Sequence, residues 1–285
     1  MKIVFFGTPD YVMPILTSLH KKFVTGPGKS PIVAVVTQSP KPIGRKQILS
    51  YSPVDKWAHD HRIPTYYQSS EIVKNEVDAD IGVCAAFGEI IPEFVIGHLK
   101  FGILNIHPSL LPEYRGASPI TYAIKDGKKE TGVTTILMDD KVDHGKIISQ
   151  FKEEIKPDDT TETLRARLFE RSAKVLLEFI EPYLKGKITP KVQDEGKATY
   201  TKKLLKEDGF INLTGSDPVV VNNFIRAMQP WPIAWTYLPN EKRVKLLKSH
   251  LYEGKLIIDE VQLEGKTPVS YKQFKAAYGF ELGLS

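Results

Sequence analysis

The 285-residue chain is 41% hydrophobic and 26% charged, a globular composition that excludes disorder and allows one full core and a smaller second one. A formal net charge of +5 favours an anionic partner without identifying it, and from residue 200 onward 12 Lys and Arg stand against 9 Asp and Glu. A single cysteine excludes a disulfide framework and a thiolate metal cage, and no apolar run approaches the roughly 18 residues of a membrane span.

The first predicted strand, 2–6, begins at once, so the expectation is a cytoplasmic protein with no leader and no membrane partner. The turn after it, Gly7-Thr8-Pro9-Asp10, has one glycine and then proline. A dinucleotide site needs G-x-G-x-x-G there, which argues against a nicotinamide oxidoreductase. Further strands are predicted over 32–37, 80–85, 102–107 and 131–138, with 147–153 as an edge. Their alternation with helix-like stretches is the pattern of a parallel α/β sheet. Ser52-Pro53 reads as an N-cap followed by proline at N1, opening a helix to about Arg62. Ser118-Pro119 repeats the device, and Gly127 is placed to end that helix. Cys84, inside the apolar run 81–86, reads as a small core residue. Asp159 with Glu162 resembles a capping box before an amphipathic helix carrying Leu164, Leu168, Leu176, Phe179 and Ile180. Pro182, Gly186 and Pro190 break that pattern, and 186–206 reads as an extended connector. Beyond it come a helix near 216–228, a turn at Gln229-Pro230-Trp231-Pro232, and short strands over 233–238, 243–251, 255–258 and 260–263. They suggest a small β-domain, of which a reduced barrel is one form.

The densest chemical cluster is Asn105-Ile106-His107-Pro108-Ser109-Leu110-Leu111-Pro112-Glu113-Tyr114-Arg115-Gly116. Residues two apart on a strand share a face, so Asn105 and His107 project together from the carboxyl end of 102–107. Ligands bind at that end in open parallel sheets. An amide beside an imidazole suits an oxyanion formed when a carbonyl is attacked. A lone histidine in such a place is more often a buried hydrogen bonder; Asn105 beside it and Asp143 downstream reverse that balance. Asp143, in Met138-Asp139-Asp140-Lys141-Val142-Asp143-His144-Gly145, could return to the same sheet edge and orient His107. Taken alone, the segment is as well explained by solvated loop aspartates. No His, Asp and Glu set has zinc-like spacing, so no metal is expected.

Asn-x-His-x-Ser-Leu-Leu-Pro-x-Tyr-Arg-Gly, followed by Thr-Gly-Val-Thr and Asp-x-Gly, resembles the folate-dependent formyltransferases. The resemblance implies a catalytic trio of Asn105, His107 and Asp143. It places the folate segment at Ser109, Leu110, Leu111 and Pro112, adds Asp140, and likens the loop with Phe87, Gly88 and Ile90 to the one lining the pterin pocket. Phe6-Gly7-Thr8-Pro9-Asp10-Tyr11, Thr37-Gln38, Ser52-Pro53-Val54, Val192-Gln193-Asp194-Glu195 and Gln229-Pro230-Trp231-Pro232 look like the branch acting on methionyl-tRNA. In that branch, the loop from Ser39 to Ser50 corresponds to a tRNA-contacting insertion, with Lys41, Arg45 and Lys46 as its cations. Lys242, Arg243 and Lys245 are the tail's candidates for gripping RNA; guarding a strand edge is their plainer use. The implied fold is a Rossmann-like parallel-sheet formyltransferase domain over 1–185, a connector over 186–206, and a shortened OB-like β-domain over 207–285. The implied activity is formyl transfer from 10-formyltetrahydrofolate to initiator methionyl-tRNA by a monomer. A formyltransferase acting on an amino-sugar nucleotide is the alternative, and an idle RNA-binding protein of the same fold the remote one.

Overall fold

The computed structural model describes residues 1–26, 28–43, 47–279 and 282, with backbone alone at Ile43. In chain order the strands are β1 (Ile3–Gly7), β2 (Ile32–Val36), β3 (Lys41–Ile43), β4 (Ile48–Ser50), β5 (Thr65–Tyr66), β6 (Ile81–Ala85), β7 (Ile103–His107), β8 (Arg115–Gly116), β9 (Glu130–Leu137) and β10 (Lys146–Glu154). They continue with β11 (Tyr200–Thr201), β12 (Ala234–Tyr237), β13 (Arg243–Tyr252), β14 (Lys255–Leu263) and β15 (Val269–Ser270). The helices are α1 (Met13–Phe23), α2 (Pro53–Asp60), α3 (Glu71–Lys74), α4 (Glu93–Ile96), α5 (Pro119–Lys125), α6 (Thr161–Leu184), α7 (Pro218–Ala227) and α8 (Tyr271–Tyr278). Among the described residues, no helix is long and apolar enough to cross a membrane.

The chain forms two compact units, neither continuous in sequence. The first comprises Met1–Arg115, Gly132–Lys152 and Ala166–Thr199; the second comprises Gly116–Thr131, Glu153–Arg165 and Tyr200–Ser285. The first is built on a seven-stranded sheet of order β10-β9-β7-β6-β1-β2-β5. Strands β1, β2, β5, β6 and β7 are parallel, as the β-rich runs predict. Because β1 and β6 are buried throughout, their residues are apolar on both faces rather than alternating. The chain starts at β1, winds out to β2 and β5, then returns to β6 on the other side of β1. Carboxyl ends at such a reversal are where ligands enter open sheets. Strand β9 departs from the all-parallel expectation: it runs antiparallel to β7, with His107 opposite Thr134 and Leu104 opposite Leu137.

Helix ends follow local chemistry. Ser52 Oγ accepts from Asp55 N at 3.0 Å and Pro53 takes N1, as expected, although α2 stops at Asp60 rather than Arg62. Ahead of α6 the reciprocal pair is Thr160 with Thr163, not Asp159 with Glu162: Thr163 N donates to Thr160 Oγ1 at 3.3 Å and Thr163 Oγ1 accepts from Thr160 N at 3.0 Å. Asp159 instead closes the preceding turn through Lys156 N at 2.7 Å, while also accepting from Thr163 Oγ1. Pro182 lies in the last turn of α6, which runs to Leu184 before Gly186 adopts φ 67°.

The second unit holds the open antiparallel meander β12-β13-β14-β15. Helices α7 and α8 pack against it over a core of Val221, Ile225, Val244, Leu246, Val261 and Phe274. Asp217 caps α7 through Val219 N and Val220 N at 2.8 and 3.1 Å. The two short runs expected at 255–258 and 260–263 are one strand, β14, with a change of register near Glu260. Helix α8 was not anticipated; its Ser270–Gln273 capping box is plain in the sequence once sought.

Candidate active site

Asn105 and His107 share one face of β7, and Asp143 meets both. Asn105 Nδ2 donates to Asp143 Oδ1 at 3.2 Å, and His107 Nδ1 lies 3.4 Å from Asp143 Oδ2. Only 5% of the histidine side chain and 12% of the aspartate side chain are exposed, so the carboxylate bridges two donors largely out of water. On the other side of the ring, His107 Nε2 donates to the Tyr114 carbonyl at 2.9 Å. Both ring nitrogens therefore face oxygen atoms that can accept. Asn105 keeps a second amide hydrogen for a ligand.

The route of Asp143 to this place differs from the expected one. Since β9 is antiparallel to β7, it ends beside Leu104, away from the carboxyl end of β7. The segment 138–145 then folds back across the face. Asp143 does so at φ 50°, a left-handed value that Asp tolerates better than most residues. Tyr114, whose carbonyl receives His107, has φ 60°, and Ala86 at the end of β6 has φ 46°. Such backbone conformations persist where the surroundings over-determine them, commonly around active sites.

The segment after His107 is pinned from β9 and β10. Buried Ser109 donates from N to the His107 carbonyl at 2.9 Å and from Oγ to the Glu113 carbonyl at 2.6 Å. Thr134 Oγ1 donates to the Ser109 carbonyl at 2.7 Å and accepts from Leu111 N at 3.0 Å. Gln150 Nε2 donates to both the Leu111 carbonyl and Thr134 Oγ1. Leu111 is buried, whereas Leu110 and Pro112 are half-buried. In the other loop Phe87 packs edge-on against Phe6 in the core, so what it can offer a ligand is backbone. Gly88 has φ 87°, and a Cβ there would lie 2.6 Å from Gln38 Nε2. Ile90 is 82% exposed, an apolar side chain presented to whatever docks beside it. Asp140 is exposed in the segment leading to Asp143.

Cys84 lies beside Asn105 on the adjacent strand, and burial pushes its thiol up to about 12. It is therefore a neutral packing residue at physiological pH, not a nucleophile. Among the described residues, no group of three or more His, Cys, Asp or Glu could hold a metal ion.

Residues singled out only as family signatures prove to build the site's support. Arg115 is 1% exposed and pairs with Glu195 at 2.6 and 2.9 Å. Its Nε and Nη2 also donate to Gln193 Oε1 at 3.2 and 2.9 Å. Gln193 Nε2 donates in turn to the carbonyls of Asp143 and Gly145, each at 2.8 Å. The stretch read as a connector thus reaches the backbone of the catalytic candidate.

The candidate nucleic-acid contacts fall elsewhere. Lys41 is exposed on β3, which pairs antiparallel with β4, and its Nζ donates to Gln38 Oε1 at 3.3 Å. Arg45 and Lys46 lie outside the described residues. Lys242, Arg243 and Lys245 belong to the second unit. Arg243 and Lys245 stand opposite Tyr237 and Trp235, and the Arg243 guanidinium lies 4.4 Å from the centre of the Trp235 ring.

Comparison with known proteins identifies the family. The family profile described as formyl transferase matches residues 1–180, and the formyl transferase C-terminal domain profile matches residues 203–255. The methionyl-tRNA formyltransferase of Listeria monocytogenes serotype 4a (strain HCC23) is 39% identical over 260 residues, covering 89% of this chain and 80% of that protein. The methionyl-tRNA formyltransferase of Geotalea daltonii is 34% identical across 99% of this chain and 97% of its own length. Among solved structures, methionyl-tRNA formyltransferase from Clostridium thermocellum has a TM-score of 0.63 at 17% identity, covering 92% of this chain and 98% of that one. The N-formyltransferase from Helicobacter canadensis, solved with folinic acid and dTDP-3-aminofucose, reaches 0.68 at 18% identity, with 95% and 98% covered. These last two are likenesses of fold.

Proposed function

We propose that this chain, which belongs to the formyl transferase family, moves the formyl group of 10-formyltetrahydrofolate onto the amino group of initiator methionyl-tRNA. The observation that carries the chemistry is the Asp143 carboxylate held between Asn105 and His107. The acceptor rests on relatives at 34 and 39% identity that are named for it and match most of the chain.

When bound, the donor supplies an electrophilic formyl carbon attached to nitrogen. The remaining N–H of Asn105 stabilises the charge that develops on the formyl oxygen as the amine adds. His107, set between the Asp143 carboxylate and the Tyr114 carbonyl, presents its ring beside that oxygen. Asp143 orients both partners, and the proton the amine loses passes to the folate nitrogen as the bond from that nitrogen to the formyl carbon breaks, so the folate leaves neutral. The folate is assigned to the pinned backbone of Ser109, Leu110, Leu111 and Pro112, to Phe87 and Gly88, to the exposed Ile90 for its flat ring, and to Asp140. The Thr134 and Gln150 contacts fix the first of these segments in advance, which suits a rigid ligand.

For the RNA we assign Lys41, Arg45 and Lys46 in the first unit and Lys242, Arg243 and Lys245 in the second. In the second unit, the sheet face opposite α7 and α8 also carries Phe210 and Tyr237, 46% and 52% exposed, beside Trp235. Cations interleaved with exposed aromatics suit phosphates and unpaired bases. Reversing Lys242, Arg243 and Lys245 to Glu is expected to weaken tRNA binding. It should also flatten the slope of log affinity against log salt by roughly 2 units, at about 0.7–0.9 per phosphate released. Tyr237→Ala should weaken binding with the slope intact, because stacking releases no counterion. If the triple reversal leaves both affinity and slope unchanged, the tail does not hold RNA, and an amino-sugar nucleotide becomes an equal candidate for the acceptor.

A further inference from the structure

We infer that Gln193 is a positioning residue, which holds Asp143 against Asn105 and His107 through the backbone and is itself aimed by the buried Arg115, which Glu195 secures from the surface. The inference rests on the catalytic reading of Asp143, but its geometry is independent of the acceptor.

The argument starts at the arginine. A guanidinium has five donors and no acceptor, so when buried it dictates the orientation of every amide it touches. Arg115 places two N–H groups on the Gln193 oxygen, at 3.2 and 2.9 Å. The Gln193 nitrogen must then point the other way, and both of its hydrogens are used on carbonyls two residues apart, those of Asp143 and Gly145. One planar amide therefore fixes both ends of the turn in which Asp143 takes its left-handed φ of 50°. Glu195 secures the far side of Arg115 by a two-point contact, and the arginine holds that carboxyl below the usual carboxylate range. Glu195 is half-exposed and also lies 3.5 Å from His144 Nε2, whose Nδ1 meets Asp139 at 2.6 Å. The tether thus runs from an exposed carboxylate, through a buried cation and a buried amide, to the backbone of the residue that orients His107. Three elements distant in sequence meet in it: the strand end at 115, the turn at 143–145 and the segment at 193–195.

Gln193→Glu separates positioning from packing. It keeps the shape of the side chain and gives Arg115 a stronger acceptor, yet turns a carboxylate oxygen toward two carbonyls that need a donor. The expected result is a kcat at least about tenfold lower. KM for the formyl donor should stay within about twofold, and the thermal midpoint should be little changed. The imidazole ¹⁵N resonances of His107 should move as its contact with Asp143 loosens, a signature that needs no acceptor. Glu195→Gln, a change at a half-exposed position, should show the same pattern at smaller amplitude. Wild-type kcat and unmoved His107 resonances in both variants overturn the inference. A parallel loss of kcat and thermal midpoint in both also overturns it, in favour of simple structural support. If wild-type protein moves no formyl group while the resonances shift as described, the tether stands and the catalytic reading falls.

Discussion

Asn105→Ala, His107→Ala and Asp143→Ala are each expected to lower kcat by about a hundred- to a thousandfold, the usual cost of removing one group that stabilises a developing oxyanion. The three act on one transition state through one carboxylate, so the triple variant should lose far less than the product of the single losses. Truncating His107 leaves the Tyr114 carbonyl without its donor, and truncating Asn105 leaves Asp143 Oδ1 without one of its own. Each truncation should cost about 1–3 kcal/mol of stability. Asp143→Asn, which keeps the side-chain shape, separates that penalty from the chemistry. It should retain the thermal midpoint more nearly than Asp143→Ala and still lose most of the rate. Steady-state kinetics beside a melting curve checks both, and near-normal turnover in any one of the single variants contradicts the assignment.

Gly145→Ala should be nearly as damaging, although glycine brings no functional group. A Cβ at this position would lie 1.9 Å from the Leu137 carbonyl oxygen and 2.9 Å from its carbon. These are backbone atoms of β9 and cannot step aside as a flexible side chain could. The turn must move instead, taking with it the Gly145 carbonyl that Gln193 holds and the Asp143 carboxylate two residues earlier. Overpacking of this kind costs about 1–3 kcal/mol, and here the displacement falls on the catalytic candidate. The expected outcome is a rate within about tenfold of Asp143→Ala, with a lowered melting temperature. Gly196→Ala is the matched control: its Cβ would meet only Asp194 Oδ1, at 3.4 Å, and both rate and midpoint should stay close to wild type.

Much of this was legible because it is local. The apolar runs at 2–6, 32–37 and 80–85 could hardly be anything but buried strands, and Ser-Pro pairs mark helix starts through chemistry confined to four residues. Asn105 and His107 were found together because strand periodicity alone puts them on one face. What the sequence hid is nonlocal. Nothing within 131–138 says that β9 runs antiparallel, since strand direction is decided by the chain's return path. That reversal made the expected route of Asp143 to the sheet edge wrong, while its meeting with His107 stands in the structure. The cap of α6 was misread by one position because Asp159, Thr160, Thr161 and Thr163 are all capping residues, and only geometry decides between them. Arg115 and Gln193 are 78 positions apart, and no spacing rule could have paired them. One clue was available: an arginine in a segment otherwise bound for the interior needs buried acceptors, and Gln193 and Glu195 lie in a stretch with little else to do.

The most direct test offers both acceptors to the enzyme in one reaction. Formyl-labelled 10-formyltetrahydrofolate is mixed with the protein, initiator methionyl-tRNA and an amino-sugar nucleotide at equal concentration, and the label is followed into each product over time. The account predicts label on the methionyl amine of the tRNA, dependent on Asp143, with the sugar nucleotide at background. Label on the sugar nucleotide alone would contradict the proposed acceptor, and label on neither would contradict formyl transfer itself.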